Sequence, residues 1–239
     1  MNDVRILLHL LRQRLAAPSP HGLLRTFPAT ILLVSLIVLC GLATWGETSS
    51  AYRPLLDRFG LDYDLTSDEH VWDMLTPVFI QPHPGIGWRM VLLVIVACAS
   101  CELLAGSVPL LVTFFVADWC ATLLTSLAMA GLSAIGVERA TVAMHIVDAG
   151  TSAAALGALA AAATLLRPSR LAVLTYGLLL GIVLVVAAMT IDEFGPAVVH
   201  VMAVLVGGGL GWLLWGPRLY PAQSHAGRAA PHTIAGAAE

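Results

Sequence analysis

Charged residues are scarce in this chain. Asp, Glu, Lys and Arg make up 11% of its 239 residues, whereas soluble globular domains carry about 25%. Hydrophobic residues make up 58%, and the mean hydropathy is +0.86. A chain of this composition would expose a large apolar surface if it folded in water. The composition therefore argues against a soluble enzyme, a nucleic-acid-binding protein and a disordered scaffold.

Strong net charge, a cysteine framework and internal repeats are also missing. The formal net charge of −3 is too small to indicate a polyanionic partner. The four cysteines lie inside apolar runs, where thiols behave as small hydrophobic side chains. We therefore expect no disulfide framework, no metal site and no cofactor. The absence of a repeat argues against a transporter built from inverted repeats.

Long apolar stretches, in contrast, are abundant. A helix needs about 20 predominantly apolar residues to cross a bilayer. Six stretches meet this requirement with approximate ends, at 28–45, 88–105, 108–130, 149–166, 171–191 and 197–215. They predict an all-α, polytopic membrane protein with six transmembrane helices and a long loop, residues 46–87, between helices 1 and 2. Apolar residues in the second half of this loop indicate that it lies in the membrane interface: Trp72, Met74, Leu75, Val78, Phe79 and Ile80.

The arginines predict the orientation of the chain. If the N-terminus is cytoplasmic, the inner segments hold eight of the 12 basic residues, so the positive-inside rule predicts that both termini are cytoplasmic in a cell (plasma) membrane protein. Residues 26–216 form the predicted membrane domain. Residues 1–25 predict a basic amphipathic segment on the inner leaflet. Residues 217–239 are rich in Ala, Pro and Gly and predict a disordered tail.

Three ionisable residues inside the predicted spans are candidates for function, because burying such groups in hydrocarbon is costly. Glu102 lies near the inner end of the second span, close to the turn at Gly106, where a structural role is favoured. Asp118 lies in the middle of the third span, either hydrogen-bonded to another helix or facing a wet cavity. His200 lies near the outer end of the last span, on a face of small residues that includes Gly207.

Small residues below His200 allow another helix to approach closely, and the fourth span is the best candidate. Ser152 lies about one turn inside the outer end of that span, at nearly the depth of His200, and Gly157 continues its run of small residues. A helix N-terminus directs free N–H groups toward this serine. Serine beside an imidazole, with oriented donors nearby, is the minimum apparatus for nucleophilic acyl transfer. Alternatively, Ser152 caps its helix and His200 is a hydrogen-bonded packing residue.

Several short motifs in the same chain order carry a family resemblance. Gly150-Thr151-Ser152-Ala153 is similar to a GxSG motif whose last glycine is replaced, and His200, Ala203 and Gly207 are similar to HxxGxxxG with its first glycine replaced. Thr76-Pro77-Val78-Phe79 matches TPxF, and Glu102 with Gly106 matches the glutamate and turn glycine that close a second span. With the order of the predicted elements, residues 72–215 resemble the rhomboid intramembrane proteases.

The resemblance implies a six-helix rhomboid-like bundle with a long interfacial loop. It also implies that Ser152 is the nucleophile and His200 the general base, and that the backbone around Gly150 and Ala153 supports the oxyanion.

The chain also departs from the family pattern. In the family's register, two side chains that help to bind the oxyanion are replaced by Ile86 and Met90, and neither of these can donate a side-chain hydrogen bond. A further loop histidine is replaced by Gln81, and the aromatic residue on which the catalytic histidine rests is replaced by Leu156. His83 is a nearby alternative donor.

Two functions therefore stay open at this stage. The first is a divergent intramembrane serine protease that cleaves transmembrane substrates through Ser152 and His200. The second is a catalytically inactive rhomboid-like protein that binds membrane-protein clients. The expected partners are the lipid bilayer and transmembrane proteins, not nucleic acid. A small-solute channel through Asp118 is disfavoured, because one buried acid makes a poor pathway.

Overall fold

The computed structural model describes residues 20–60, 63, 76–147, 149–165, 174–178, 180–181 and 194–215. These residues form helices and turns, with no strand among them. The helices are α1 (Pro20–Thr26), α2 (Pro28–Ala43), α3 (Ser49–Phe59), α4 (Trp88–Ala105), α5 (Ser107–Ala134), α6 (Glu138–Met144), α7 (Ser152–Leu165) and α8 (Phe194–Leu210). A 3-10 turn covers Pro77–Phe79, and the π-helical turn Gly211–Trp215 continues α8. Residues 174–178 and 180–181 are also helical.

Three of the described helices are long and apolar enough to cross a membrane: α4, α5, and α8 with its extension to Leu214. The all-α prediction is thus confirmed for the described residues. Two shorter apolar helices, α2 with 16 residues and α7 with 14, lie where the first and fourth spans are predicted. Most of the predicted fifth span, residues 1–19, the tail at 217–239 and the loop residues Trp72, Met74 and Leu75 lie outside the described residues.

Glycines flank both ends of helix α5, whose bounds differ from prediction. Helix α4 has the predicted bounds, but α5 begins at Ser107 and continues to Ala134, beyond the predicted end at residue 130. Gly106 and Gly136 flank α5 with φ values of +96° and +84°. Only glycine adopts this backbone region readily. The turns at these two positions, more than the hydropathy of the flanking residues, therefore define the length of α5.

The long loop between α2 and α4 contains a helix that the hydropathy pattern did not predict. Helix α3 begins where Thr48 Oγ1 accepts a hydrogen bond from Ala51 N, and an Arg53–Asp57 ion pair of 2.9 Å lies one turn further along. Polar on most of its surface, α3 buries Tyr52. Later in the loop, Val78 is fully buried in the protein core, while Phe79 and Ile80 are half-buried.

Helix α7 lies at the centre of the packing because its side chains are small. Ten of its 14 residues are buried, and nearly all of these are alanine. The helix contacts α4, α5 and α8. Small side chains allow several helix backbones to approach one another closely without a gap between them. The alanine run therefore places the first residue of α7, Ser152, among three neighbouring helices.

Glu102 joins the ends of three helices at one buried point. Its carboxylate accepts hydrogen bonds from Ala29 N at 3.0 Å, Thr30 N at 2.9 Å and Thr30 Oγ1 at 2.7 Å, all at the start of α2. Ser107, the first residue of α5, donates from its Oγ to the same carboxylate at 2.6 Å. The N–H groups of a first helical turn have no partner within their own helix. Glu102, fully buried in α4, therefore caps α2 and fixes it against α5.

We predict that Glu102→Ala destabilises the protein by about 3 kcal/mol or more. Hydrogen bonds to a charged group contribute about 1.5–3 kcal/mol each, and the substitution leaves buried donors unsatisfied. Thermal unfolding in one detergent measures this loss. Glu47→Ala, which removes an exposed carboxylate from the loop, is the control and should leave the midpoint unchanged. Equal midpoints for the two variants would contradict the capping role of Glu102.

Candidate active site

A serine and a histidine from two different helices form a hydrogen bond in the structure. Ser152 Oγ lies 2.7 Å from His200 Nε2. Ser152 is the first residue of α7, and His200 is the seventh residue of α8. Both side chains are half-buried, so they are accessible from one side. The separation is within the range of about 2.6–3.2 Å at which a base removes a proton from a nucleophile.

The residues before Ser152 set the direction in which the serine projects. Gly150 has a φ of +124°, a conformation that side-chain-bearing residues rarely adopt. Its N–H donates to Pro77 O at 2.9 Å, which ties the start of α7 to the loop. Ala155 N donates the first hydrogen bond of α7, to Thr151 O at 2.9 Å. The N–H groups of residues 152–154 precede this bond and are not used within the helix.

Close contact between α7 and α8 brings the two side chains together. A Cβ placed on Gly207 would overlap the backbone of Gly157, and a Cβ on Gly157 would collide with Ala117 of α5. One turn beyond, a Cβ on Gly211 would collide with Thr164. Thr164 Oγ1 in turn lies 3.3 Å from Gly208 O. The small residues predicted to form a helix contact below His200 therefore do so, and the partner helix is α7.

A small apolar cluster includes the chain neighbours of the pair, Ala153 and Val199. Its buried members are Tyr63, Ala121, Ala153, Val199 and Ala203. Tyr63 has no exposed surface, its N–H donates to Met144 O at 3.1 Å, and its ring lies against Gly195. The sequence pattern does not predict the contacts of Tyr63, because it is an aromatic residue in a polar loop segment.

The loop before α4 contacts the residues that precede Ser152. Gln81 Nε2 donates to Thr151 Oγ1 at 3.3 Å, and both side chains are buried. Thr76 Oγ1 donates to Phe59 O at 3.1 Å. Tyr52 OH donates to Gln81 O at 2.5 Å. Burial raises the pKa of Tyr52, with a smaller contribution from nearby Cys40, so this phenol remains a hydrogen-bond donor at neutral pH.

The other predicted residues differ in burial and in the residues around them. His83 is exposed and donates no hydrogen bond to any residue that the structure describes. Ile86 packs against the hydrophobic core, and Met90 is half-buried. Leu156 lies in a different small cluster, beside Tyr176. Asp118 is buried on α5. Backbone N–H groups at the start of α7 are oriented donors beside Ser152.

The described residues contain no group of three His, Cys, Asp or Glu side chains that could hold a metal ion. Comparisons of the chain with protein-family models, curated proteins and solved structures found no match.

We predict that Gly207→Ala destabilises the protein by about 1–3 kcal/mol, because the new methyl group forces α7 and α8 apart. Gly209→Ala is the matched control: it lies two residues away on α8, where an added Cβ meets nothing within 4 Å. That control should be neutral or stabilising, since alanine favours helix over glycine by about 1 kcal/mol. Thermal unfolding compares the two. A Gly207→Ala variant as stable as Gly209→Ala would show that the helices are not in close contact.

Proposed function

We propose that this chain is a rhomboid-like intramembrane serine protease in which Ser152 and His200 form the catalytic pair. The observation that carries the proposal is the 2.7 Å hydrogen bond between Ser152 Oγ and His200 Nε2 at the N-terminus of a buried helix. A serine that only capped its helix would bond to its own first turn. Here its hydroxyl is directed at an imidazole on a separate helix.

The reaction follows from these positions. His200 Nε2 takes the proton of Ser152 Oγ while the oxygen attacks the carbonyl carbon of a substrate peptide bond. The C–N bond then breaks, and His200 gives the proton to the leaving amine. A water molecule, deprotonated by His200, hydrolyses the acyl-enzyme and restores the free serine. No metal or cofactor takes part in these steps.

Negative charge on the substrate oxygen is stabilised by the start of α7. The unused N–H groups of residues 152–154 and the positive end of the helix dipole are close to the serine oxygen. The residues at positions 86 and 90 cannot serve as side-chain oxyanion donors. Removing one such donor costs about 2.7–4 kcal/mol, a factor of 10² to 10³ in rate. We therefore propose a slow protease that relies mainly on backbone donors.

The substrate class follows from the surroundings of the pair. The helices that carry Ser152 and His200 are apolar, and α8 is long enough to span a bilayer. A peptide bond that reaches this site does so from within or beside a membrane. The proposed substrates are therefore transmembrane proteins, cleaved in the outer part of a six-helix membrane domain with cytoplasmic termini.

A fluorophosphonate probe tests the proposal. The Ser152 oxygen would form a P–O bond, fluoride would leave, and His200 would accept the serine proton. We predict labelling of the purified wild type, no labelling of Ser152→Ala, and labelling about 10² to 10⁴ times slower for His200→Ala. Ser100→Ala, which removes a hydroxyl that donates to Val96 O within α4, is the control and should label at the wild-type rate. Labelling that survives Ser152→Ala, or an unreactive wild type, would contradict the proposal.

The aliphatic residues Ile86 and Met90 favour a second candidate, a rhomboid-like protein that binds membrane clients without cutting them. In that case the serine and histidine are packing residues. Capture of a single-span membrane protein should then be equal for wild type, Ser152→Ala and His200→Ala in a co-purification assay. Capture that disappears with either substitution would contradict this second function.

A further inference from the structure

The start of α7 is capped in an unusual way. The side chain of a threonine at the N-cap position ordinarily accepts a hydrogen bond from the second or third N–H of its own helix. Thr151 occupies this position, and its carbonyl accepts from Ala155 N. Its hydroxyl oxygen accepts instead from Gln81 Nε2, which lies 70 residues away in the chain. The Thr151 hydroxyl thus bonds to the loop and not to the N–H groups of Ala153 and Ala154.

Gln81 is held in place for this contact. Gln81 is 6% exposed, and its backbone carbonyl oxygen accepts the hydrogen bond from Tyr52 OH. Pro77, four residues earlier, accepts the N–H of Gly150. The loop thus contacts two consecutive residues, Gly150 and Thr151, immediately before the serine. If the Gln81 side chain turned away from Thr151, it would lose a buried hydrogen bond.

On its other side, the same loop segment borders a cavity. An apolar cavity of about 330 Å³ lies between α2, α3 and the loop, and its wall includes Tyr52, Phe79, Ile80 and Gln81. Hydrogen bonds with Tyr52 and Thr151 hold Gln81 beside this cavity. A substitution that removes these hydrogen bonds would change the position of the Thr151 side chain.

We propose that Gln81 is a positioning residue: by engaging the Thr151 hydroxyl, it keeps this side chain away from the first N–H groups of α7, which stay available to the oxyanion. The inference rests on the proposed protease function. Without Gln81, the Thr151 hydroxyl is free to cap Ala153 or Ala154 in the ordinary way. The cap would then compete with the substrate for the same donors.

The test compares four full-length proteins in the same detergent: wild type, Gln81→Leu, Thr151→Val and the double variant. The rate of fluorophosphonate labelling is resolved into probe affinity and the rate constant of the chemical step. We expect Gln81→Leu to lower that rate constant about tenfold to hundredfold, as expected for a weakened oxyanion donor. Thr151→Val, which has no hydroxyl to act as a cap, should label within about twofold of wild type, well under 1.4 kcal/mol.

The double variant decides between positioning and simple support. Removal of the Thr151 hydroxyl should rescue Gln81→Leu, so that the double variant labels about as fast as Thr151→Val alone. Mere structural support would instead make the double variant as slow as Gln81→Leu or slower. That result, or an unimpaired Gln81→Leu, would overturn the inference.

Hydrogen exchange separates this inference from the protease function. The amides of Ala153 and Ala154 should exchange more slowly in Gln81→Leu than in wild type, because they gain a cap, and the double variant should reverse the change. Thr151→Ser in the Gln81→Leu background retains a capping hydroxyl and should keep the slow exchange. Identical exchange in wild type and Gln81→Leu would overturn the inference even if the wild type reacts with the probe. The expected exchange with an unreactive wild type would overturn the protease proposal alone.

Discussion

The close approach of α7 and α8 is the constraint on which the rest of the structure depends. Gly207 lies directly against the backbone of Gly157, and neither position has room for a methyl group. Without a side chain at either residue, the helix axes come near enough for a serine on one and an imidazole on the other to share a hydrogen bond. In an apolar environment such packing replaces the hydrophobic effect as the force between helices. The contact therefore holds α7 against α8 and also brings Ser152 and His200 together.

Two groups of buried polar side chains lie at helix ends in this apolar interior. Glu102 collects four donors where α2, α4 and α5 meet. At the opposite end of α4, Gln81 and Thr151 form a buried pair close to Ser152. Buried polar groups are tolerated when they are hydrogen-bonded. Glu102 caps the N-terminus of α2, whereas Gln81 engages the hydroxyl that could cap α7. Helix capping is thus linked to the donors available at the serine.

Hydropathy and small-residue spacing predicted much of this architecture. The bounds of α4, the pairing of α7 with α8 and the proximity of Ser152 to His200 all follow from local patterns, because helix periodicity and glycine spacing are written into consecutive residues. The contact between Gln81 and Thr151 could not be predicted in the same way. It joins residues far apart in the chain, and it depends on a loop whose path is set by Tyr52 and Pro77 and not by periodicity.

In the proposed protease, the aliphatic residues at positions 86 and 90 make the backbone donors of α7 more important. In a site with side-chain oxyanion donors, the first turn of the helix is one contributor among several. Here Ile86 packs into the hydrophobic core and provides none. The remaining donors belong to the same turn that Thr151 would cap if Gln81 did not hold its hydroxyl. A site that depends on helix N–H groups must keep its own N-cap from using them, and a buried glutamine is a fitting partner for that purpose because its amide can donate while it stays uncharged.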